Sequence, residues 1–523
     1  MIHHWRSAVV RGLAVVVAVV VAVVLAAAPA GLAEWTFTTP EQQGMDSAPL
    51  EQLREMIDAA ELPIDSLVVL RHGAIVFEHH PELPFGGPEI PHNLYSTTKS
   101  ITSLLIGIAI EQGFIDGVHQ PVVDLLPDRE ILNLDERKRR MTLEHLLAMT
   151  SGLAWQGPDD MYHTWGAAIQ SGDPVQYTLD RPMASEPGAT WYYNGGCSHL
   201  LSAILTEATG MSTLAFAREV LFDPLGIGWV IWPRDPHGIY YGGQDIRLSP
   251  HAMAKIGQLV LDEGVWQGEQ VVPAAWIAAS RETRTDLGAG GYGYQWWTYP
   301  ASGIFYASGA FEQRIFVVPA LDLVAVFTAD NQAPGIGPGE RAEGPPIVEW
   351  LFSRFILPAC DDYTPLPYVG FGFSIATPHL VHSRTLGGPG ATHASDAAGL
   401  ALFSYSGSPY EQLGVRWTTP DGPHDPAAAL AELARCFVAF GLQVNDVGPL
   451  LEVETARGDA ICQRLYVTDE TGPLIIYSGT LTASEDGRSI VVYTGIARQF
   501  AAWIDPLAEL TRLLASLQVP PGT

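Results

Sequence analysis

The chain has 523 residues, of which 47% are hydrophobic and 14 are tryptophan, so it can bury a sizeable core and is long enough for two domains. Its 57 acidic residues outnumber the 28 basic ones, which gives a net charge of −29. Because nucleic acids and anionic membrane surfaces are bound by clustered cations, this charge argues against both as partners.

Residues 1–33 have the pattern of an export signal. Arg6 and Arg11 precede an apolar run over residues 12–28, and mostly small residues follow over 28–33. A basic start, an apolar centre and a small-residue cleavage site are typical of signal peptides. The run is longer than most signals and shorter than most membrane spans, so it is either cleaved or retained as an anchor. In both cases we expect an exported protein, secreted, periplasmic or at the cell surface, with no other contact to a membrane.

In chain order, strands come first, then a long run of helices, then strands again. SLVVLRHGAIVFEHH predicts a hairpin that turns at His72-Gly73. Apolar residues recur at helical spacing over residues 101–113, and further helices are predicted in MTLEHLLAMTSGL, NGGCSHLLSAILTEATG, SPHAMAKIGQLVLDEGVW and PAAWIAAS. Strand-like runs return between GYGYQWWTY and VAVFTAD. We expect the two strand groups to meet in one antiparallel sheet flanked by helices, an α+β fold with a helical subdomain.

The pattern changes after this part of the chain. A helix over residues 345–356 closes the first domain, assigned to residues 34–357, and the Pro/Gly-rich residues 358–370 are a predicted linker. From residue 371 to 523, strand-like runs and two helical ones (PAAALAELARCFVAF and FAAWIDPLAELTRLLASL) predict a smaller α+β domain. The sequence leaves the role of this C-terminal domain open.

The four cysteines, Cys197, Cys360, Cys436 and Cys462, leave two interpretations open. An exported protein can pair them, and Cys436 with Cys462 is then the favoured pair because both lie in the C-terminal part. Alternatively, all four are buried thiols. No CxxC or HExxH pattern occurs, so we expect no metal site.

The first feature that indicates chemistry is Ser96, followed three residues later by Lys99, at the start of an apolar helix. Side chains at this spacing share one face of a helix and can touch. The positive end of the helix dipole and burial both favour a neutral lysine, which can take the proton of a serine nucleophile. The alternative is a serine that caps the helix beside a lysine in solvent.

Two later stretches add to this pair. WYYNGGCSHLLSAIL places Tyr193 just before a helix, where its phenol could share a proton with Ser96 and Lys99. YASGAFEQRIFVVP indicates a strand edge at which the backbone N–H of Ala310 could join that of Ser96 in an oxyanion hole. Taken alone, Tyr193 is as readily a packed aromatic residue beside Trp191 and Tyr192. The second stretch, taken alone, is better interpreted as an ordinary small-residue strand.

The order and spacing of the three motifs, SxxK at 96, YxG at 193 and ASG at 307–309, resemble the serine β-lactamase and penicillin-binding-protein superfamily. The likeness is to class C β-lactamases and their esterase and amide-hydrolase relatives, including the 6-aminohexanoate-dimer hydrolases. LEHLLAMTSGL, EPGATWYYNGG and LSPHAMAKIGQLVLDEGVWQGEQVVPAAW agree with it, and it covers about residues 38–356.

The resemblance implies a site for acyl transfer. Ser96 would be the acylated nucleophile, Lys99 its base partner and Tyr193 the proton relay to the leaving group and the deacylating water. The backbone N–H groups of Ser96 and Ala310 would form the oxyanion hole, without any metal or organic cofactor. The motif residues assigned to substrate binding are Asn194, Gly195, Ser308 and Gly309.

Two positions depart from the class C pattern. Gly195 stands where the tyrosine motif of those enzymes ends in asparagine, and Ala307 stands where their third motif begins with lysine. The missing cation removes a partner for the carboxylate of a penicillin or of a peptide C-terminus. Arg314 either replaces it as a carboxylate clamp or is a surface strand residue.

Aromatic residues near the third motif leave two interpretations open. Trp296, with Trp297, Tyr292 and Tyr294, either lines an apolar substrate pocket or packs in the core. Glu186, in the loop before the tyrosine motif, is interpreted as a solvated carboxylate and not as a base.

We therefore predict an exported serine hydrolase that cleaves an ester or amide bond of a small molecule through an acyl-enzyme on Ser96. One alternative is a β-lactamase or D,D-peptidase that acts on β-lactams or cell-wall peptides. An alternative of another class is a surface binding protein with the same fold and no turnover, against which the intact Ser96, Lys99 and Tyr193 argue. The acyl group and the oligomeric state stay open.

Overall fold

The computed structural model describes residues 35–81, 87–155, 161–288, 290–329 and 347–370, then the strands β14 to β21 given below and residues 430, 510, 512 and 513. The predicted export signal lies outside these residues, and so does almost all of the two helices predicted in the C-terminal part. Both predictions therefore stay predictions.

An eight-stranded antiparallel sheet is the centre of the first part of the chain. Its strands and the shorter ones beside it are Ile64–Arg71 (β1), Ala74–His79 (β2), His92–Asn93 (β3), Arg247–Leu248 (β4), Val265–Trp266 (β5), Glu269–Gln270 (β6), Thr285–Asp286 (β7), Gly291–Tyr292 (β8), Trp297–Tyr299 (β9), Ile304–Gly309 (β10), Gln313–Val318 (β11), Leu323–Ala329 (β12) and Leu366–Gly370 (β13). The order in the sheet is β2-β1-β12-β11-β10-β9-β8-β7. Strands from the beginning and the end of this part thus meet at the β1–β12 pair, as predicted.

The hairpin predicted at His72-Gly73 is confirmed. Strands β1 and β2 pair in antiparallel register from Arg71 with Ala74. Both turn residues have positive φ, 50° at His72 and 74° at Gly73. Two successive positive φ values are what a tight hairpin turn requires, because they match the twist of the flanking strands.

Helices cover both faces of the sheet and form an insert between its two halves. They are Ser47–Ala59 (α1), Thr98–Glu111 (α2), Val122–Leu125 (α3), Glu136–Arg139 (α4), Leu143–Leu147 (α5), Met161–Gln170 (α6), Pro174–Leu179 (α7), Gly195–Thr209 (α8), Thr213–Ala217 (α9), Pro250–Leu261 (α10), Ala274–Arg281 (α11) and Val348–Leu351 (α12). A helical turn over Phe352–Ile356 continues α12. The helices α2, α5 and α7 each pack against α8, and this group is the predicted helical subdomain.

Burial on both faces of the sheet explains its apolar central strands. On one face α10 packs against β1, β11 and β12. On the other face α1 and α12 share one core with the sheet, in which the ring of Phe316 stacks on that of Phe352 with centroids 4.1 Å apart. Strands β1, β11 and β12 are consequently buried along their whole length. The predicted α+β class is confirmed.

The C-terminal part contains a second antiparallel sheet. Its described strands are Phe373–Thr377 (β14), Val381–Leu386 (β15), Gly399–Tyr405 (β16), Glu411–Trp417 (β17), Gln443–Thr455 (β18), Gly458–Asp469 (β19), Gly472–Thr482 (β20) and Ser489–Ala497 (β21). Strands β15 to β21 form one sheet in the order β15-β16-β17-β21-β20-β19-β18, and β14 pairs with β13. The predicted strands are thus present, while the domain boundaries stay a prediction.

Two cysteines are described with their side chains. Cys197 and Cys360 are free thiols, both buried. Burial raises the pKa of both thiols, to about 12 for Cys197 and about 11 for Cys360, so they are unreactive at neutral pH. Cys436 lies outside the described residues, so its predicted pairing with Cys462 stays a prediction.

Within the described ranges, no single helix has the length and apolar character needed to cross a membrane. The bent pair Gly195–Thr209 and Thr213–Phe222, with an angle of 79° between its halves, meets the length and composition criteria only when taken together.

Candidate active site

Ser96 lies at the tip of a strained turn that leads into α2. The turn is a 3-10 helix over Tyr95–Thr97, and Tyr95 has a φ of 43°, which is unusual for a bulky residue. Two side chains hold it there: Asn93 Oδ1 accepts from the Tyr95 N–H at 3.1 Å, and Thr98 Oγ1 donates to the Tyr95 carbonyl at 2.6 Å. Backbone strain maintained in this way is common at functional sites. It leaves Ser96 partly exposed at the start of the helix.

Lys99 lies below this turn and contacts the serine. Its Nζ donates to Ser96 Oγ at 3.0 Å and to the carbonyl of Gly243 at 2.7 Å, and the residue is 4% exposed. Burial lowers the pKa of Lys99 to about 7, although the charge of Asp245 opposes the shift. The neutral amine is therefore well populated near pH 7. The alternative of a solvated lysine beside a capping serine is wrong.

The Gly243 carbonyl was missed by the sequence analysis. Its loop approaches α8 so closely that a Cβ at Gly242 would lie 2.2 Å from the Ser198 carbonyl, and one at Gly243 would lie 3.4 Å from Lys99 Nζ. Thr102 of α2 also binds the loop, since its Oγ1 donates to the Gly242 carbonyl at 2.8 Å. The paired glycines in a loop were the available signal, because only glycine permits such backbone contact.

Tyr193 completes the group. It precedes Asn194, the N-cap of α8, and Lys99 Nζ lies 4.9 Å from the centre of its ring. Burial raises the pKa of Tyr193 to about 12, while a hydrogen bond with the Ser96 side chain and the charge of Arg314 act in the opposite direction. The phenol is thus protonated at neutral pH and within reach of the serine. The structure therefore brings Ser96, Lys99 and Tyr193 together.

Strand β10 approaches the serine turn at its free edge. Its ladder with β9 ends at the pair Tyr306 and Trp297, whereas its ladder with β11 continues to Gly309. A Cβ at Gly309 would lie 2.2 Å from the Leu94 carbonyl, so glycine is required for the strand to pass the turn. Ala310 follows Gly309 directly and begins the short 3-10 turn that leaves the strand. The oxyanion role of the Ser96 and Ala310 N–H groups stays a prediction.

An aromatic cluster surrounds Tyr193. Its ring stacks on Trp297 with centroids 6.0 Å apart. Trp191 and Tyr292 contact Trp297 edge-on, at 6.0 Å and 5.1 Å. Trp191, Tyr193 and Trp297 are partly exposed and contact one another, so they form an apolar wall of which Tyr193 is part.

Four of the predicted pocket or substrate residues are buried. Trp296 is 1% exposed and packs against Phe305, and Tyr292 and Tyr294 are also buried in the core. Asn194 is buried as well, because its Oδ1 caps α8 by accepting from the N–H groups of Gly196 and Cys197. These residues pack behind the site. Trp297 stacks on Tyr193, whereas Trp296 packs against Phe305.

Two other residues predicted to bind substrate are Ser308 and Gly195. Ser308 is partly exposed on β10, two residues before Ala310. Gly195 lies under the ring of Trp165, which a Cβ at this position would meet at 3.6 Å. Binding roles for both residues stay predictions.

Arg314 is not a surface residue. It is 7% exposed, and its Nε donates to Glu349 Oε1 at 2.9 Å. Its Nη1 donates to the carbonyl of Gly309 at 2.8 Å. The interpretation of Arg314 as a surface strand residue is therefore wrong, because the buried carboxylate of Glu349 compensates its charge. Glu186, in contrast, is exposed and pairs with Arg140 at 2.8 Å, as a solvated carboxylate would.

Within the described ranges, no group of three or more His, Cys, Asp or Glu side chains is arranged to hold a metal ion.

Comparisons with known proteins identify relatives of this part of the chain. A family model described as Beta-lactamase matches residues 51–342. The 6-aminohexanoate-dimer hydrolase of Paenarthrobacter ureafaciens is 24% identical over 282 residues, which are 50% of this chain and 71% of that protein.

Two further relatives match over shorter lengths. Monacolin J acid methylbutanoyltransferase of Aspergillus terreus is 30% identical over 162 residues, 28% of this chain and 39% of that protein. Esterase EstB of Burkholderia gladioli is 28% identical over 178 residues, 31% of this chain and 44% of that protein. The match thus spans less than half the length of either of these two relatives.

Proposed function

The chain belongs to the beta-lactamase family, as the resemblance of its motifs predicted, and from that premise we propose that it is a serine hydrolase that cleaves an ester or amide bond through an acyl-enzyme on Ser96. The observation that carries the proposal is the contact between a buried lysine amine and the serine hydroxyl, 3.0 Å from Lys99 Nζ to Ser96 Oγ. The named relatives, a dimer hydrolase, an esterase and an acyltransferase, support acyl transfer in general.

In the first half of the reaction, Ser96 Oγ attacks the substrate carbonyl carbon and its proton passes to the neutral amine of Lys99. The resulting oxyanion is held by the backbone N–H groups of Ser96 and Ala310. Collapse of this intermediate breaks the bond to the alcohol or amine, which leaves with a proton delivered through Tyr193. The acyl group remains as an ester on Ser96.

In the second half, water attacks the acyl-enzyme. Tyr193 and Lys99 take the water's proton and return it to Ser96 Oγ as the ester breaks, which releases the carboxylic acid. Tyr193 suits the part of a relay because its high pKa keeps it protonated between transfers, and because Lys99, which contacts Ser96, lies against its ring.

We infer a small substrate without a carboxylate on its leaving group. Ala307 supplies no cation at the third motif, and Arg314 is already paired with Glu349. A carboxylate there would lose its hydration without gaining a charged partner. The wall of Trp191, Tyr193 and Trp297 suits apolar groups. This favours an ester or amide hydrolase over a β-lactamase or D,D-peptidase.

Export remains part of the proposal. The support is the basic, apolar and small-residue order of residues 1–33. Digestion by an added protease tests it, first in intact cells and then in cells whose envelope outside the cytoplasmic membrane has been opened. A protein that stays protected under both conditions would lie in the cytoplasm, which would contradict the proposed export.

Intact mass spectrometry after incubation with a fluorophosphonate tests the nucleophile. We expect one adduct on the purified protein and none on Ser96→Ala. Turnover of p-nitrophenyl acetate beside a chromogenic cephalosporin then separates the enzyme classes. Faster cephalosporin hydrolysis would favour the β-lactamase alternative, and no adduct on the parent protein would favour the binding protein.

A further inference from the structure

We propose that Arg314 is a positioning residue for the oxyanion hole: it binds the Gly309 carbonyl and thereby fixes and strengthens the N–H donor of Ala310. This inference rests on the proposed function, since it assigns a device to the same acylation step. It also explains a buried arginine that the reaction itself does not use.

The arginine reaches the peptide group that ends β10. Its Nη1 donates to the Gly309 carbonyl at 2.8 Å and to the Gln313 carbonyl at 3.1 Å. Arg314 is the cross-strand neighbour of Ser308, so the side chain extends along the sheet to the point where β10 leaves it. The cation therefore contacts the last carbonyl before the proposed oxyanion donor.

The Gly309 carbonyl and the Ala310 N–H belong to one peptide unit. The described chain contains no cis peptide bond, so in this unit the C=O and N–H bonds point in opposite directions. Holding the oxygen against Arg314 directs the hydrogen away from it. A peptide whose oxygen accepts from a cation is also polarised, and its N–H becomes a stronger donor.

Two acidic side chains hold the guanidinium in this orientation. Glu349 Oε1 accepts from Nε at 2.9 Å, and Glu312 Oε1 lies 3.7 Å from Nη2. Glu312 is itself fixed, since its Oε2 accepts from the Val348 N–H at 3.0 Å. All three side chains are buried. The arginine is thus prevented from turning toward a substrate, and one edge of its fork stays on the Gly309 carbonyl.

Stability alone is a weak explanation for this arrangement. Buried ion pairs can often be replaced by apolar residues without loss of stability, because their desolvation offsets their attraction. The oxyanion role explains the geometry, in which the guanidinium donates to the carbonyl of Gly309, in the same peptide unit as the proposed donor, the N–H of Ala310. The two explanations differ in the kinetics that they predict.

Arg314→Lys tests the inference, because lysine keeps the charge and loses the rigid fork. The matched control is Arg71→Lys, which alters another buried, ion-paired arginine of the same sheet. Pre-steady-state acylation by p-nitrophenyl acetate is measured per active serine, counted by fluorophosphonate titration. Removal of a whole oxyanion donor lowers kcat about 100- to 1000-fold, so we expect the weakened donor to slow acylation about 10- to 100-fold.

A structural role would not reproduce the other expected changes. In Arg314→Lys we expect the dissociation constant of the ester, taken from the pre-steady-state measurement, to stay within about twofold. Inhibition by phenylboronic acid, whose tetrahedral adduct uses the oxyanion hole, should weaken by the same factor as acylation. In Arg71→Lys both values should match the parent. Acylation per active serine that is equal in the two variants would overturn the inference.

A second variant covers the case in which Arg314→Lys does not fold. Glu349→Gln keeps the arginine and an acceptor for its Nε but removes the charge that orients it, and we expect acylation to slow about 3- to 10-fold. An unchanged rate would overturn the inference. A parent protein that gives neither adduct nor turnover would overturn the proposed function as well, which separates the two failures.

Discussion

At the residue scale, the protonation of Lys99 sets the expected pH dependence. Burial lowers the pKa of this amine to about 7, and only its neutral form can accept the proton of Ser96. Tyr193 has a pKa of about 12 and stays protonated over the accessible range. We therefore expect kcat/KM for an ester to rise with pH through an apparent pKa near 7 and to show no falling limb from the tyrosine below about pH 10.

Substitution of the lysine checks that assignment. Lys99→Arg keeps a cation that does not lose its proton, so acylation should fall about 100- to 10,000-fold. Lys255→Arg is the control, because Lys255 is also partly buried and donates to the carbonyl of Leu225 at 2.9 Å, away from Ser96. A pH profile that stays flat between about pH 5 and 9 would contradict the base role.

The sequence predicted Ser96 and Lys99 together because their contact is local, three residues apart on one stretch of backbone. The groups that complete the environment of Lys99 are distant in sequence. Gly243, whose carbonyl accepts from Nζ, lies 144 residues further on. Arg314 and Glu349 are 35 residues apart, and no regular spacing in the sequence indicates that they pair. Long-range pairs of this kind are formed by the fold and leave no periodic pattern.

At the element scale, the approach of β10 to the serine turn depends on Gly309. A Cβ there would lie 2.2 Å from the Leu94 carbonyl and 3.1 Å from Thr97 Oγ1, both of which are held by the turn. Gly309→Ala must move the strand away from Ser96. We expect acylation to fall at least about 100-fold, as for loss of an oxyanion donor, and the protein to be destabilised by about 1–3 kcal/mol.

Fluorophosphonate labelling rates and thermal melting check this expectation together. Gly228→Ala is the matched control, since its Cβ would meet nothing within 4 Å and its backbone has no positive φ. The control should keep both the labelling rate and the melting temperature. Normal labelling of Gly309→Ala would show that the strand does not need its close approach.

Elements were predicted well where a long pattern repeats and less well where the backbone changes direction. The hairpin of β1 and β2 and the helix α2 each show several periods of alternation or helical spacing. Between β8 and β9, Gln295 has a φ of 64°, so the alternation of inward and outward side chains restarts there. This is why Trp297 borders Tyr193 while Trp296, the predicted pocket residue, is in the core. The position of a single residue with positive φ, such as Gln295, cannot be predicted from the amino-acid composition.

At the scale of the whole molecule, closure of the sheet from distant strands could be predicted because neither strand group had enough partners to bury its apolar residues alone. The long-range polar contacts within the closed fold could not be predicted from the sequence. His251, near the start of α10, binds Glu89 Oε1 through Nδ1 at 2.9 Å and Glu78 Oε2 through Nε2 at 3.0 Å. It thereby links α10 to β2 and to the segment that leads to the serine turn.

The link should make thermal stability depend on pH. Burial disfavours the charged ring, but the hydrogen bonds to Glu78 and Glu89 outweigh it and raise the pKa of His251 from 6.5 to about 9. Its stabilisation is therefore complete below pH 6.5 and is lost as pH rises through 9. The hydrogen bonds from His251 and His80 lower the pKa of Glu78 from 4.5 to about 2, so its contribution is complete above pH 4.5 and is lost as pH falls toward 2. Both contributions to stability are therefore complete only between pH 4.5 and pH 6.5.

His251→Gln should consequently lower the melting temperature most at about pH 5.5, by a loss of about 1–2 kcal/mol, and much less at about pH 9.5, where the native ring is largely uncharged. Thermal unfolding followed across this range measures the difference between variant and parent. His72→Asn is the control: its ring binds Asp322 at 2.9 Å, but the pair is nearly half exposed, so its removal should matter little at any pH. A difference between His251→Gln and the parent that stays constant from about pH 5.5 to 9.5 would show that the ring stabilises the fold by packing and not by its charge.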